Sequence, residues 1–321
     1  MNEFELIRTY FARQPVSRAD VAEGIGDDAA LLRPPHDQQL AVTSDVLVLG
    51  VHFFPDADPE SLGHKALAVN LSDLAAMGAE PAWFLLNLTL PEADTLWLEM
   101  FCRGMFRLAR EFNVQLVGGD TSRGPLNIAI EAHGFVPPAA ALRRCGAKTG
   151  DRIYVTGTLG DAALMVKQRA GKLQLPLLAL AAFSERLDRP TPRVREGIAL
   201  RNIAHCAIDI SDGLLADLGH ILERSQVGAR IFLDRIPVSE TCRSHLGQAG
   251  WDTVLAGGDD YELCFTVSPG KLEALEKLQF SCRFQCIGEI EREPGIRVMD
   301  ESGKPYHPRE TGHDHFAEKT K

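Results

Sequence analysis

The sequence contains no long apolar run and no secretory leader. No stretch of its 321 residues approaches the about 18 consecutive apolar residues that a membrane span requires. The first residues, MNEFELIRTYFARQP, lack the basic, apolar and small-residue regions of a signal peptide. We therefore expect a cytoplasmic protein with no membrane partner.

Paired cysteines and an excess of positive charge are also missing. The seven cysteines are odd in number, scattered and without a C-x-x-C pair, which argues against zinc or redox chemistry and predicts buried or inert thiols. The formal net charge of −10 excludes a large nucleic-acid surface, which needs a basic stripe. Phosphate ligands remain compatible with this charge if metal ions intervene.

The two commonest ATP-binding designs are absent as well. The chain has neither a G-x-x-x-x-G-K-[ST] loop nor a kinase-type glycine loop with its lysine and H-R-D partners. An ATP site in this protein must therefore be of another type.

The length and the pattern of elements predict the domain organisation. At 321 residues the chain exceeds the size at which one hydrophobic core usually stops growing, so two domains are expected. Strand-like and helix-like patterns alternate in both halves, which predicts an α/β fold of the α+β type. The segment VPPAAALRRCGAKTGD has the composition of a linker, so we place the domains at residues 1–138 and 149–321.

Two segments carry clear periodicity. A strand is predicted around Leu40 to Val48, followed by a helix in HKALAVNLSDLAAMG, whose leucines share one face. In the second half, CAIDI predicts a short strand that runs into SDG and then the helix LLADLGHILERS. We expect Ser211 to be the N-cap of this helix and Asp212 to lie in its first turn.

Aspartate recurs at predicted turns and element ends. Each single occurrence has a structural explanation, because Asp and Gly favour turns and helix caps. Several, however, follow an apolar strand, and strand ends in α/β folds often open onto a ligand crevice. The segments are GIGDDAALL (Asp27, Asp28), TSDVL (Asp45), NLSDL (Asp73), GGDTSRG (Asp120), DISDG (Asp209, Asp212) and GGDDYEL (Asp259, Asp260, Glu262).

These acidic segments indicate a chemistry if they converge. Converging carboxylates repel one another unless a cation neutralises them, and hard divalent cations prefer such oxygen ligands. Mg²⁺ is the usual choice where phosphates share its coordination shell, and phosphoryl transfer relies on positioning and charge stabilisation. The pairs Gly118–Gly119 and Gly257–Gly258 let backbone N–H groups approach phosphate oxygens. The composition of these turns therefore suits a protein that catalyses phosphoryl transfer by holding Mg²⁺ ions on a nucleotide and an acceptor.

Over most of its length, the sequence resembles the thiamine-monophosphate kinase family. Broader relatives are ATP-binding proteins that include aminoimidazole ribonucleotide synthetase and selenophosphate synthetase. The resemblance rests on seven phrases in the family's order, which are GIGDDAALL, TSDVLVLGVHF, HKALAVNLSDLAAMGAEP, GGDTSRGPL, GAKTGDRIYVTGTLGDAAL, AIDISDGLLADLGHI and GGDDYELCF.

The resemblance implies a reaction, an assembly and a set of site residues. ATP and thiamine monophosphate would give ADP and thiamine diphosphate, by direct attack of an acceptor phosphate oxygen and without a phosphoenzyme. The N-terminal domain would bind ATP and Mg²⁺ and pair its sheet with that of a second subunit in a homodimer. Matching positions imply Mg²⁺ ligands at Asp28, Thr43, Ser44, Asp45, Asp73, Asp120, Asp209 and Asp212. They imply ATP contacts at Gly119, Asp120, Arg144 and Ser211, and substrate contacts at His52, Asp259 and Glu310.

Two positions depart from the family pattern, and the roles of two basic side chains stay undecided. Asp259 stands where the family usually has Glu, one methylene longer, and Glu310 stands where the family has an aromatic residue, often Trp. Both differences bear on substrate affinity and identity rather than on the class of reaction. Lys65 and Arg123 either touch phosphates or face solvent.

Two alternative functions remain at this point. One is an enzyme of the same superfamily with another phosphoryl acceptor, such as a formylglycinamidine or selenide. Relatives that make selenophosphate tend to carry a reactive N-terminal Cys or Sec, whereas the first cysteine here is Cys102. The other is a non-catalytic module that only binds nucleotide and metal. The joint presence of Asp45, Asp120 and Asp209 argues against it, because unused clustered carboxylates would only repel one another.

Overall fold

A computed structural model describes residues 2–313 and divides the chain into two compact units. Unit 1 comprises the chain up to Leu74 together with Ala79–Ala141, and unit 2 comprises Ala75–Gly78 and the chain from Leu142 onward. The predicted two-domain α/β fold is confirmed. The assignment of separate roles to residues 1–138 and 149–321 stays a prediction.

Unit 1 is built around a four-stranded sheet. Within the described residues its elements are α1 (Glu3–Leu6), a π-helical turn (Ile7–Phe11), β1 (Val21–Glu23), β2 (Leu31–Leu32), β3 (Gln39–Val48), α2 (Pro59–Ala76), β4 (Glu80–Leu90), α3 (Thr95–Glu111), β5 (Gln115–Arg123) and β6 (Asn127–Val136). The sheet has the order β3-β6-β4-β5, so β3 and β5 form its two edges. Only β4 and β5 are parallel among these neighbours, and β1 and β2 form a separate antiparallel pair.

The two long helices of unit 1 lie in close contact. A Cβ atom at Gly63 of α2 would clash with the carbonyl oxygen of Phe101, and one at Gly104 of α3 would clash with that of Glu60. Glycine at both positions therefore allows the two backbones to approach. The predicted leucine face of α2 is confirmed, because Leu67, Leu71 and Leu74 are at most 1% exposed.

Unit 2 is built around a seven-stranded, mostly antiparallel sheet. Its described elements are β7 (Arg152–Thr156), α4 (Asp161–Arg169), α5 (Leu177–Asp188), α6 (Val194–Ala199), β8 (Cys206–Asp209), α7 (Leu214–Ser225), β9 (Gly228–Phe232), a 3₁₀ turn (Leu233–Arg235), α8 (Glu240–Ala249), α9 (Asp252–Leu255), β10 (Leu263–Val267), a 3₁₀ turn (Pro269–Lys271), α10 (Leu272–Glu276), β11 (Phe284–Glu291), β12 (Gly295–Met299) and β13 (Pro305–Tyr306). The strand order is β13-β12-β9-β11-β7-β10-β8, and β12 and β9 are parallel. Strands β7, β8 and β10 contribute Ile153, Val155, Ile208 and Cys264 to one large apolar core.

Burial is confirmed for four of the seven cysteines, and the inertness of the other three stays a prediction. Cys102, Cys206, Cys242 and Cys264 are buried, and burial raises the pKa of the first three to about 12. By contrast, Cys145 is exposed. Among the described residues, we find no helix with the length and apolar character of a membrane span.

Candidate active site

In unit 1, strand β3 and helix α2 bring two predicted metal ligands together. The hydroxyl of Thr43 donates a hydrogen bond to the Oδ2 atom of Asp73. Because side chains alternate along a strand, Asp45 lies on the same face of β3 as Thr43, and Ser44 lies on the other face. One face of β3 thus presents a hydroxyl and a carboxylate towards a second carboxylate on α2.

The positions of these aspartates correct one expectation. Asp45, Asp73 and Asp120 lie within β3, α2 and β5 rather than at turns or element ends. Lys65 on α2 is only 4% exposed, so the alternative in which it faces solvent is wrong.

Asp120 lies at the opposite edge of the sheet from Asp45. Cross-strand register places Val46, Ala129, Asn87 and Asp120 in one row across β3, β6, β4 and β5. Three strand spacings separate the two edges, which amounts to about 14 Å. The four-stranded sheet therefore does not bring Asp120 close to Asp45 within one chain. Among residues 2–313, no group of three or more His, Cys, Asp or Glu side chains is close enough to hold a metal ion.

Gly119 has a backbone reason to be glycine. Its φ angle is +134°, and a Cβ atom there would clash with the carbonyl oxygen of Leu86 on the neighbouring strand. The register of β4 and β5 shifts between Phe84 and Leu85, just before this contact. Gly119 and the neighbouring Asp120 are both exposed.

The remaining predicted residues of unit 1 lie in loops. Asp28 is exposed in the segment after β1, and its N–H donates to Oδ1 of Asp27 at 2.8 Å. His52 lies in the turn that follows β3, where its Nδ1 accepts a hydrogen bond from the N–H of Val48 at 3.0 Å. This bond leaves the other ring nitrogen, Nε2, to carry the proton of the neutral ring and to serve as a donor.

In unit 2, a buried carboxylate shapes the loop that carries Ser211 and Asp212. The Oδ2 atom of Asp217 accepts hydrogen bonds from the N–H groups of Ser211, Asp212 and Gly213 at 3.0, 3.1 and 3.1 Å. The expected capping role of Ser211 and the expected place of Asp212 in the first turn are both wrong, because α7 begins at Leu214 and has Gly213 at its N-cap position. Asp217, four residues beyond that position, satisfies N–H groups of the loop before the helix rather than those of its first turn.

Asp217 was not predicted as a functional residue. It is 2% exposed, and burial, with a further contribution from the nearby Asp212, raises the pKa of its carboxyl group to about 7. The three N–H donors oppose this rise. The signal in the sequence that could have identified Asp217 is its position directly before Leu218, on a helix face that is otherwise apolar. Asp209, which ends β8 beside this loop, is 3% exposed.

The loop from Gly257 to Glu262 holds Asp259 in an uncommon backbone conformation. Asp259 and Tyr261 have φ angles of +67° and +50°, which non-glycine residues rarely adopt. The N–H of Asp259 donates to the carbonyl oxygen of Ser211 at 2.9 Å, and the Tyr261 hydroxyl contacts Asp259 Oδ1 at 3.3 Å. Such strain persists only where the surroundings fix the chain, so Asp259 is held by the loop around it.

Two buried carboxyl groups fix this loop beside Asp259. Both carboxylate oxygens of Asp260 accept the N–H of Gly160 at 3.0 Å, and burial raises the pKa of Asp260 well above its ordinary value. Glu262 is completely buried and accepts hydrogen bonds from Arg193 at 2.5 and 2.6 Å, from Arg186 at 2.8 Å and from Thr156 at 2.7 Å. Asp260 and Glu262 were predicted only as members of an acidic segment, and the two arginines were not predicted at all.

Arg144 and Glu310 stand apart from this arrangement. Both are exposed, and no contact joins either side chain to another predicted site residue within the described part of the chain. The neighbouring Arg309 donates its N–H to Asp252 at 3.4 Å, which fixes the backbone next to Glu310.

Comparison with protein families gives full-length matches. Two family models match, the AIR synthase related protein N-terminal domain over residues 26–136 and the C-terminal domain over residues 148–301. The chain is 50% identical over 322 residues to thiamine-monophosphate kinase of Salmonella typhimurium, covering 98% of both chains. It is 48% identical to thiamine-monophosphate kinase of Escherichia coli K12, again covering 98% of both.

Solved structures of thiamine-monophosphate kinases are also similar to this chain. The crystal structure of thiamine-monophosphate kinase from Stenotrophomonas maltophilia K279a is 48% identical, with a TM-score of 0.83 over 90% of this chain and 93% of that one. The structure of AaThiL complexed with AMPPCP and TMP is 31% identical, with a TM-score of 0.77 over 91% and 93% of the two chains.

Proposed function

The chain belongs to the thiamine-monophosphate kinase family of AIR synthase related proteins, and on this premise we propose that it transfers the γ-phosphoryl group of ATP to thiamine monophosphate. The observation that carries the proposal is the 50% identity to a thiamine-monophosphate kinase over 98% of both chains. A relative that is 31% identical has been crystallised with AMPPCP and TMP, a nucleotide and an acceptor together. The products are ADP and thiamine diphosphate.

The reaction needs little covalent help from the protein. An acceptor phosphate oxygen, already anionic, attacks the γ-phosphorus directly, so no side chain has to remove a proton. The bond between the γ-phosphorus and the bridging oxygen breaks, and ADP leaves with that oxygen. Catalysis of such a step consists of positioning and charge stabilisation, which suits a site composed of carboxylates, hydroxyls and exposed backbone N–H groups.

The oxygen donors of this chain fit Mg²⁺. Thr43 and Asp73 are already in hydrogen-bond contact, and Asp45 lies on the same strand face, so the donor set is one that hard divalent cations prefer. When bound, Mg²⁺ neutralises phosphate charge and orients the reacting groups. The residues assigned to Mg²⁺ ions, of which several are expected, are Asp28, Thr43, Ser44, Asp45, Asp73, Asp120 and Asp209, and Asp212 is assigned to a further ion.

The substrates are assigned to the remaining residues. We assign Gly119, Asp120, Arg144 and Ser211 to ATP. His52, with Nε2–H as a donor, is assigned to thiamine monophosphate together with Asp259 and Glu310. The strained backbone at Asp259 supports this assignment, because strained residues cluster at ligand sites. The cytoplasm remains the predicted compartment.

A homodimer is part of the proposal, and the sheet of unit 1 supports it. The edge strand β3 exposes Leu40, Val42 and Val46, which are 47%, 55% and 45% exposed and share one face. Apolar side chains on an open edge strand are normally covered. A second copy that pairs along this edge can also contribute its own Asp120, which the sheet of a single chain keeps about 14 Å from Asp45.

Turnover by the purified protein tests the reaction. ADP release and thiamine diphosphate formation are measured with ATP, Mg²⁺ and thiamine monophosphate, and parallel reactions contain thiamine or EDTA. We expect metal-dependent product only from the monophosphate. Nucleotide binding without product would contradict the proposed acceptor.

Complementation between variants tests the shared site. Asp45→Asn and Asp120→Asn are each expected to be inactive, and both proteins are mixed after reversible dissociation. If each site takes Asp45 from one copy and Asp120 from the other, half of the dimers are mixed and each has one intact site. The mixture then recovers about a quarter of the wild-type activity. A mixture that stays inactive although mixed dimers form would contradict the shared site.

A further inference from the structure

A separate cleft of about 800 Å³ lies in unit 2. Its volume falls in the range of about 300–1,000 Å³ that is typical of small-molecule sites. Its lining includes Thr158, Arg186, Arg193, Glu262 and residues 278–280 and 282–285. None of the residues assigned to ATP, Mg²⁺ or thiamine monophosphate lines it. The cleft is therefore a second candidate site, and it does not depend on the proposed kinase function.

The charge of this cleft is opposite to that of the chain. Three arginines, Arg186, Arg193 and Arg283, line it against one carboxylate, Glu262. Glu262 binds both Arg186 and Arg193, whereas the exposed Arg283 has no ion pair in the described part of the chain. In a protein of net charge −10, this local excess of positive charge favours an anionic ligand.

The hydrogen-bonding capacity of Arg186 is only partly used. Its guanidinium donates to Glu262 at 2.8 Å and to the carbonyl oxygen of Thr158 at 3.1 Å, but its Nε atom has no acceptor among the described residues. Asp161 and Asp260 lie near enough to interact electrostatically with Arg186, but burial raises the pKa of both carboxyl groups. They therefore offset less of the arginine charge than two exposed carboxylates would.

The rest of the cleft is apolar and partly aromatic. The rings of Phe280 and Phe284 pack edge to face with centroids 4.9 Å apart, and both line the cleft together with Leu278, Pro237 and Val238. Arginine forks recognise phosphate through paired hydrogen bonds, and aromatic side chains pack well against flat rings. The cleft presents both groups to one ligand.

We propose that this cleft binds a small phosphorylated ligand that carries a flat ring. The phosphate would lie at Arg283 and Arg186, and the ring would pack against Phe280 and Phe284. Glu262 holds Arg193 and Arg186 in place, and its ion pairs with both arginines persist when the ligand is bound.

Phenyl phosphate is a suitable probe, because it combines a phosphate with a ring and nothing more. Binding to the full-length protein is measured by isothermal titration calorimetry in EDTA and without nucleotide. Inorganic phosphate and phenol are titrated in parallel. We expect phenyl phosphate to bind about tenfold or more tightly than either fragment, since it uses both parts of the cleft.

Variants locate the binding. Arg283→Ala is expected to weaken phenyl phosphate binding about tenfold, and Phe280→Ala about threefold or more. Both side chains are at least partly exposed, so the variants are expected to fold, and Arg283→Ala should retain kinase turnover. Arg292→Ala, an exposed arginine outside the cleft, and His52→Ala should leave the affinity unchanged.

Three results would overturn the proposal. One is the absence of phenyl phosphate binding. Another is an affinity that Arg283→Ala does not change. The third is binding that His52→Ala abolishes, which would assign the probe to the substrate residues of unit 1.

Discussion

Unit 1 carries most of its proposed metal ligands on regular elements, whereas unit 2 carries its site residues next to loops. Thr43, Asp45 and Asp73 project from the interior of a regular strand and a regular helix. Ser211 and Asp259, in contrast, lie on loops that the buried carboxylates of Asp217, Asp260 and Glu262 hold in place. Substitutions in unit 1 should therefore affect chemistry alone, and those behind the loops of unit 2 should also affect stability or position.

The largest expected effect is on turnover, from loss of a ligand charge in either unit. Asp45→Asn keeps the shape of the side chain but removes the charge that would hold Mg²⁺. We expect kcat to fall by about 10³-fold or more with the fold intact, on the scale seen when a partner of transition-state charge is lost. Asp209→Asn should behave in the same way. Thiamine diphosphate formation at saturating Mg²⁺ measures both.

Asp37→Asn is the matched control, since Asp37 is exposed and belongs to none of the proposed ligand sets. It should retain wild-type activity. Near-normal activity in both Asp45→Asn and Asp209→Asn would rule out the metal-based mechanism. Activity lost only together with the circular dichroism signal of the fold would contradict the statement that unit 1 substitutions act on chemistry alone.

The next largest effect is on the free energy of unfolding, and it is expected for unit 2 but not for unit 1. Glu262→Gln leaves Arg186 and Arg193 without their shared counter-charge in a fully buried position. Removing one partner of a buried ion pair costs about 3–5 kcal/mol, so the free energy of unfolding should fall by about that amount. Urea denaturation followed by circular dichroism measures the change.

Glu293→Gln provides the comparison for this effect. The side chain of Glu293 is 83% exposed and pairs with Arg297 at the surface. An exposed pair contributes little, so its loss should change the free energy of unfolding by less than about 1 kcal/mol. Equal stability of the Glu262→Gln and Glu293→Gln proteins would show that Glu262 does not anchor the loop.

The same comparison explains what sequence alone predicts. Periodicity located β3, α2 and the leucine face of α2, because each depends on neighbours within a few residues. The hydrogen bond between Thr43 and Asp73 is harder to predict from the sequence, because it forms only if α2 lies on the Thr43 face of β3. The sheet order, which separates Asp45 from Asp120, depends on which distant strands pair and is not encoded by local pattern.

The loops of unit 2 were the least predictable part. The partners of Glu262 lie 69, 76 and 106 residues away along the chain, so no local motif identifies them. Ser211 was misassigned as a helix cap because serine before an apolar helix is usually one. Asp217, inside the helix, instead accepts hydrogen bonds from the N–H groups of the preceding loop, and α7 begins at Leu214.

The smallest of these effects concerns position rather than charge or stability. Asp217 touches the N–H groups of Ser211 and Asp212 but is not itself assigned to nucleotide or metal, so it acts as a positioning residue. Asp217→Asn keeps one acceptor oxygen but loses the charge that binds three donors. We expect kcat to fall by about 10- to 100-fold, the usual effect of losing an outer support. The Mg²⁺ concentration for half-maximal activity should rise, because Asp212 is no longer held. Glu223→Gln, on the exposed side of the same helix, should change neither value. A merely structural role would lower the melting temperature and leave the Mg²⁺ dependence unchanged. That outcome would remove Asp217 from the site. Among the proposed site residues of unit 2, Asp259 alone would then depend on a buried carboxylate.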